Sequence, residues 1–175
     1  MNIISTIVLP LIAVAVTLIQ CPMRDEHRPV SVKDLRNVAT EVVLEGRLLT
    51  LSTYPWRDFM PGTLSGPDGS PMMVALKVAT TDKKPFPSGV RMERAWIAFG
   101  EQVWETSKLR DPLNSPPNEK DSWIKCSDTP VCETTARNGP KWGPGVFVDV
   151  VVRLIDKEGR HYLLRAPKQY VQRTD

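Results

Sequence analysis

The stretch from Val146 to Leu164, VFVDVVVRLIDKEGRHYLL, decides the fold. Val146, Val148, Val150, Val152 and Leu154 occupy every second position, with Asp149 and Arg153 between them, so one face is apolar and the other charged. A period of two is the pattern of a half-buried strand. With Lys157-Glu158-Gly159 as a three-residue loop and Gly159 left-handed, Asp156 faces Arg160, Leu154 faces Tyr162 and Val152 faces Leu164. A loop one residue longer would set His161 opposite Leu154 and turn Tyr162 outward, because a slip of one residue exchanges the faces of a strand. The shorter loop is therefore expected. The second strand continues through Arg165 and Ala166 toward Tyr170, with Pro167 marking an edge or a bulge.

Upstream, short runs rich in Val, Leu, Trp and Tyr alternate with Gly and Pro clusters, the punctuation of an all-β domain. The run Val42 to Tyr54 ends at Pro55, and a loop from Trp56 to Pro71 carries the turn signal Pro67-Asp68-Gly69. Met72 to Thr81 alternates, with Lys77 on the wetter face. Arg91 to Phe99 and Gln102 to Thr106 are joined by Gly100-Glu101, a two-residue connection whose glycine suits a type II′ turn. Trp96 and Trp104 fall in these adjacent strands, and one of them is expected between the sheets. Residues 107–145 hold six prolines and few aliphatic side chains, and read as a polar excursion outside the core. Ahead of the strands, Ser31 and Asp34 could cap one short helix bearing Val32, Leu35, Val38 and Ala39. The pattern predicts a β-sandwich over residues 41–175, preceded by a linker at 21–40.

Val146 to Leu164 resembles the last two strands of bacterial immunoglobulin-like or fibronectin type III-like modules, in which a valine-rich strand, an Asp-x-x-Gly turn and a Tyr-containing strand recur. The resemblance covers about 20 residues and implies an immunoglobulin-like β-sandwich. The chain lacks cysteines at the inter-sheet positions of antibody domains, so no antibody-like bridge is implied. The segment Gly139-Pro140-Lys141-Trp142-Gly143-Pro144-Gly145 is similar to segments of uncharacterised exported bacterial proteins and implies no activity.

The first twenty residues hold 14 hydrophobic side chains and no charge, which marks residues 1–20 as an export signal or a membrane anchor. Leu18-Ile19-Gln20-Cys21 resembles a bacterial lipoprotein signal, and that resemblance implies lipidation of Cys21; Gln20 departs from the small residue such signals place before the cysteine. The positive-inside rule points the other way, since Arg24, Arg28, Lys33 and Arg36 all follow the apolar run. Cys126 and Cys132 lie six positions apart in a polar stretch where a short-loop disulfide is plausible and a zinc site would need two more ligands. On balance, an extracytoplasmic domain tethered to or released from the membrane is expected.

Chemistry-bearing residues are sparse. The two histidines, His27 in the linker and His161 beside a turn, do not make a metal site or a triad. Common hydrolase, kinase, metalloprotease and phosphate-loop motifs do not occur, and no metal or cofactor is expected. The net charge of +3 comes from 23 basic and 20 acidic residues interspersed along the chain, which argues against nucleic acid as a partner. Asp149, Glu93 and Glu105 are the carboxylates worth testing for acid and base work, and support the alternative of a carbohydrate-active or other envelope hydrolase using a carboxylate pair. Five tryptophans stand out, of which Trp56, Trp123 and Trp142 fall in Gly/Pro-rich loops. Loop tryptophans stack on sugars or anchor protein partners. The expectation is a non-catalytic envelope module, binding or structural, whose partner is a glycan or an envelope protein met at these three residues.

Overall fold

The computed structural model describes residues 30–60, 66–110, 124–126 and 128–175. The apolar segment 1–20, Cys21 and Trp123 lie outside these residues. Among the described residues no helix is long and apolar enough to cross a membrane.

Among the described residues the domain is all-β apart from one short helix, α1 (Val32–Arg36). Its strands are β1 (Glu41–Leu44), β2 (Arg47–Asp58), β3 (Met72–Thr80), β4 (Arg91–Phe99), β5 (Gln102–Thr106), β6 (Leu109–Arg110), β7 (Ile124–Lys125), β8 (Val131–Gly139), β9 (Phe147–Ile155), β10 (His161–Tyr170) and β11 (Gln172–Thr174). They form two sheets. The first runs β1-β2-β3-β8-β6, with β11 added in parallel to the end of β2; the second runs β10-β9-β4-β5, with β7 beside β4. Every other pairing is antiparallel.

The deciding hairpin folds as its sequence predicts. Leu154 pairs with Tyr162 and Val152 with Leu164, the Asp156 amide donates to the Arg160 carbonyl at 3.2 Å, and Gly159 takes φ 79°. The register shifts between Ala166 and Gln169, where Pro167 removes a donor. Beyond this bulge Gln169 and Tyr170 still pair with Val148 and Phe147, and the chain then leaves the second sheet. Val171 is fully buried, and residues 172–174 then pair with 56–58 of β2, so β10 and β11 join the two sheets along one side.

Two elements differ from the expectation. The run Val42 to Tyr54 is not one strand. Glu45 (φ 46°) and Gly46 (φ 76°) form a two-residue turn between β1 and β2, and their two positive φ values are those a type I′ hairpin requires. Glutamate is a poor resident of the left-handed region compared with Asn or Asp, so the turn carries little sequence signal. β2 also continues to Asp58. Pro55 lies in the gap between the stretches that β1 and β11 pair, where a missing N–H costs nothing on that edge.

The second difference is β8, inside the stretch read as too polar for the core. Its inward residues are Cys132, Thr134 and Ala136, opposite Val78, Leu76 and Val74 of β3, and all three are buried. Threonine suits a strand through its β-branch, and small side chains fit a closely packed inner face without raising local hydropathy. The core between the sheets takes Leu49, Val74, Leu76 and Val78 from one side and Met92, Ile97, Val150, Val152, Leu154 and Leu164 from the other.

Cys126 and Cys132 form a disulfide. Cys126 follows β7 in the second sheet and Cys132 lies in β8 of the first, so the bridge ties the two layers through the core, where both cysteines are buried. A loop this short limits the entropic gain to about 2 kcal/mol. Cys126→Ala with Cys132→Ala is expected to lower stability by about that amount, read as a lower urea midpoint at unchanged denaturant slope.

α1 begins with a capping box: Ser31 Oγ accepts from the Asp34 amide at 3.2 Å, and an Asp34 carboxylate oxygen accepts from the Ser31 amide at 3.3 Å. Five residues do not make a stable helix in water. Packing holds this one, since Val32 and Leu35 are buried against Trp96, Ala98 and Val151 on the outer face of the second sheet.

Candidate binding surface

Of the three loop tryptophans, Trp56 and Trp142 fall within the described residues, and they stand in different settings. Trp142 caps the core: its indole N–H donates to Gln102 Oε1 at 2.8 Å, and its ring sits 5.6 Å from Phe99. Trp56 lies on β2 rather than in a loop and points outward, since its neighbours Pro55 and Arg57 are the buried ones. Of the strand tryptophans, Trp104 packs on the core and Trp96 lies under α1.

Trp56 has partners of its own. Tyr54, two residues earlier on the same face, lies 5.7 Å away between ring centroids. Across the joined side of the sandwich, Gln172 pairs with Trp56, and Thr53 Oγ1 bonds Gln169 Oε1 at 3.0 Å. Both contacts have the same offset in sequence, so the Tyr170 position continues the register at Tyr54. Tyr170 in turn pairs with Phe147 of β9, the rings 5.4 Å apart and edge to face. The result is an outward belt, Trp56-Tyr54-Tyr170-Phe147, crossing three adjacent strands. Tyr54 is 49% exposed, Tyr170 44% and Phe147 61%. Aromatic rings of this size normally bury most of their area, so two exposed ring pairs on one surface are unusual. Sequence inspection passed over Tyr54, Tyr170 and Phe147. Phe147 had one signal: it occupies the charged side of the alternating valine strand.

Arg57 holds this end of the molecule from beneath. It is buried, and its guanidinium donates to four backbone carbonyls: Ser70 through Nε at 2.9 Å, Lys141 at 3.1 Å, Gly143, and Asp68. Burial lowers its pKa from the ordinary value, and the charge of Asp68 works against that shift. The Phe59 ring lies 4.9 Å from Arg57 and 4.2 Å from Arg173, a second favourable contact for each cation. One side chain thereby fixes the 66–70 turn and the 141–143 segment against the strand that carries Tyr54 and Trp56.

The three carboxylates occupy the outer face of the second sheet, each with cationic partners. Asp149 lies 3.5 Å from Arg36 and 3.8 Å from Arg165 and accepts the Lys168 amide at 3.2 Å. Glu93 pairs with Arg153. Glu105 pairs with Arg94 and accepts the Trp96 indole N–H at 2.9 Å. These contacts attach α1 and orient Trp96, which is structural work for the groups an acid–base mechanism would need. Among the described residues no cluster of three or more His, Cys, Asp or Glu side chains is placed to hold a metal ion.

No family model matches the chain, and no curated protein matches it.

Proposed function

We propose that this chain is a non-catalytic envelope module, an immunoglobulin-like β-sandwich exported across or anchored in a bacterial membrane by residues 1–20, that binds a partner through its outer aromatic surface. The observation that carries the reading is the two exposed ring pairs, Trp56 with Tyr54 and Tyr170 with Phe147. The strand order supports the fold assignment: β2-β3-β8-β6 against β10-β9-β4-β5 corresponds to the A-B-E-D and G-F-C-C′ order of immunoglobulin domains. The buried Cys126–Cys132 bridge supports an oxidising compartment. In this reading the domain meets the membrane through its amino-terminal segment and a glycan or an envelope protein through its surface.

Fractionation of cells producing the full chain tests the assignment. The protein is expected in the envelope or outside the cell, with Cys126 and Cys132 oxidised when thiols are blocked before lysis. A cytoplasmic protein with both thiols reactive would contradict it. Mass spectrometry of the same material distinguishes a retained Met1, a terminus near residue 21 and a lipidated Cys21.

A further inference from the structure

We propose that the belt Trp56-Tyr54-Tyr170-Phe147 seats a neutral glycan chain, an assignment that rests on reading the domain as a binding module and adds the chemistry of its ligand. A pyranose ring has an apolar face of C–H groups and a rim of hydroxyls, so it is held by aromatic rings flanked by hydrogen-bonding side chains. The belt has both. Its four rings are exposed or half-buried, and Gln172, Ser52 and Thr50 share the outward face with Trp56 and Tyr54. Strands in a sheet lie about 4.8 Å apart. A row running from β2 through the β10 and β11 connection to β9 is therefore longer than one sugar ring and suits successive residues of a chain.

Charge selects among ligands. Arg137, whose guanidinium reaches the Met73 sulfur beside Trp56, and Lys168 in the bulge before Tyr170 are cationic. Asp58, which pairs with Thr174 at the end of the same strand, and Glu133, tied to Lys77, are anionic. An anionic lipid surface or a nucleic acid would call for an excess of Lys and Arg here, and the border is mixed in sign. A protein partner would bury the bordering hydroxyl and amide groups and have to supply matching polar groups. A hydroxyl-rich polymer does so along its whole length.

Affinity electrophoresis of the full-length protein tests this, in native gels containing a soluble β-1,4-glucan, β-1,3-glucan, α-1,4-glucan or chitin oligosaccharides. At least one is expected to retard the wild type. Tyr54→Ala with Tyr170→Ala should weaken that retardation about tenfold or more, the range of an interface anchor lost. Tyr54→Trp should preserve it, and His161→Ala, at an exposed site off the belt, should leave it unchanged. Unfolding midpoints of the variants establish that they fold. Retardation by no polysaccharide, or retardation that the double variant leaves intact, would overturn the proposal. So would binding to phosphatidylglycerol vesicles that the double variant abolishes while no polysaccharide binds. An envelope location without polysaccharide binding would remove the glycan and leave the broader functional reading standing.

Discussion

Replacing Arg57 by Ala is expected to destabilise the domain by about 4 kcal/mol, because the change leaves a cavity and removes a buried cation from four carbonyls at once. For a domain of this size each kcal/mol moves the melting temperature by about 2–4 °C, so the loss should approach 10 °C or more. The carbonyls of Asp68, Ser70, Lys141 and Gly143 belong to two separate loops, and neither can reach water easily while the guanidinium's place stays enclosed. Arg57→Lys should recover only part of the loss. An ammonium is a compact charge and does not reproduce the planar fork that spans both loops and faces Phe59. Thermal and urea unfolding of the two variants check the magnitude, and the ranking Arg above Lys above Ala is the specific expectation.

Asp156→Ala should rank second, at about 3 kcal/mol, through loss of a buried and fully occupied acceptor. The Asp156 side chain has no exposed surface and accepts from the Glu158 and Arg160 amides, each at 2.9 Å, from Arg160 Nε at 2.6 Å and from the Tyr162 hydroxyl at 2.9 Å. It is the internal staple of the turn on which the register of β9 and β10 depends. Burial alone would raise its pKa, but the hydrogen bonds from Arg160 and Tyr162 outweigh burial and hold the carboxyl below its ordinary value. The unfolded chain therefore binds the proton more readily than the folded one. The contribution is fully present above the unfolded pKa, about 3.9 for aspartate, and disappears as pH falls through the lower folded value. Stability measured across that acid range should drop in the wild type and drop less steeply in Asp156→Asn, which cannot ionise. Equal acid limbs would contradict this role for the charge.

What could be read from the sequence follows from how local each signal is. The β9–β10 hairpin was legible because alternation, Asp156 and Gly159 all sit within twenty residues and agree. The α1 cap was legible for the same reason, as a Ser and an Asp three positions apart. β8 was not, because its inward face is built from Cys132, Thr134 and Ala136, which carry no hydrophobic period. β11 was also hidden, since three residues pairing in parallel with a strand more than a hundred positions away leave no local trace. Trp56 was visible as a candidate by residue type alone, but Tyr170 and Phe147 lie on strands distant from it in sequence. Arg57 carries no local signal, because only the convergence of distant carbonyls makes it buried and satisfied. The non-local terms, the belt of the proposed binding surface and the clamp beneath it, leave no local pattern to read.

The most direct test of the central claim is the two-dimensional 1H–15N spectrum of the full-length protein titrated with the polysaccharide that retards it. The Trp56 indole N–H, assigned through Trp56→Phe, and the amides of Tyr54, Tyr170 and Gln172 are expected to shift together. The indoles of Trp96 and Trp142, engaged by Glu105 and Gln102, should stay in place. Shifts confined to residues away from the β2, β9 and β10–β11 surface, with Trp56 unmoved, would contradict the account.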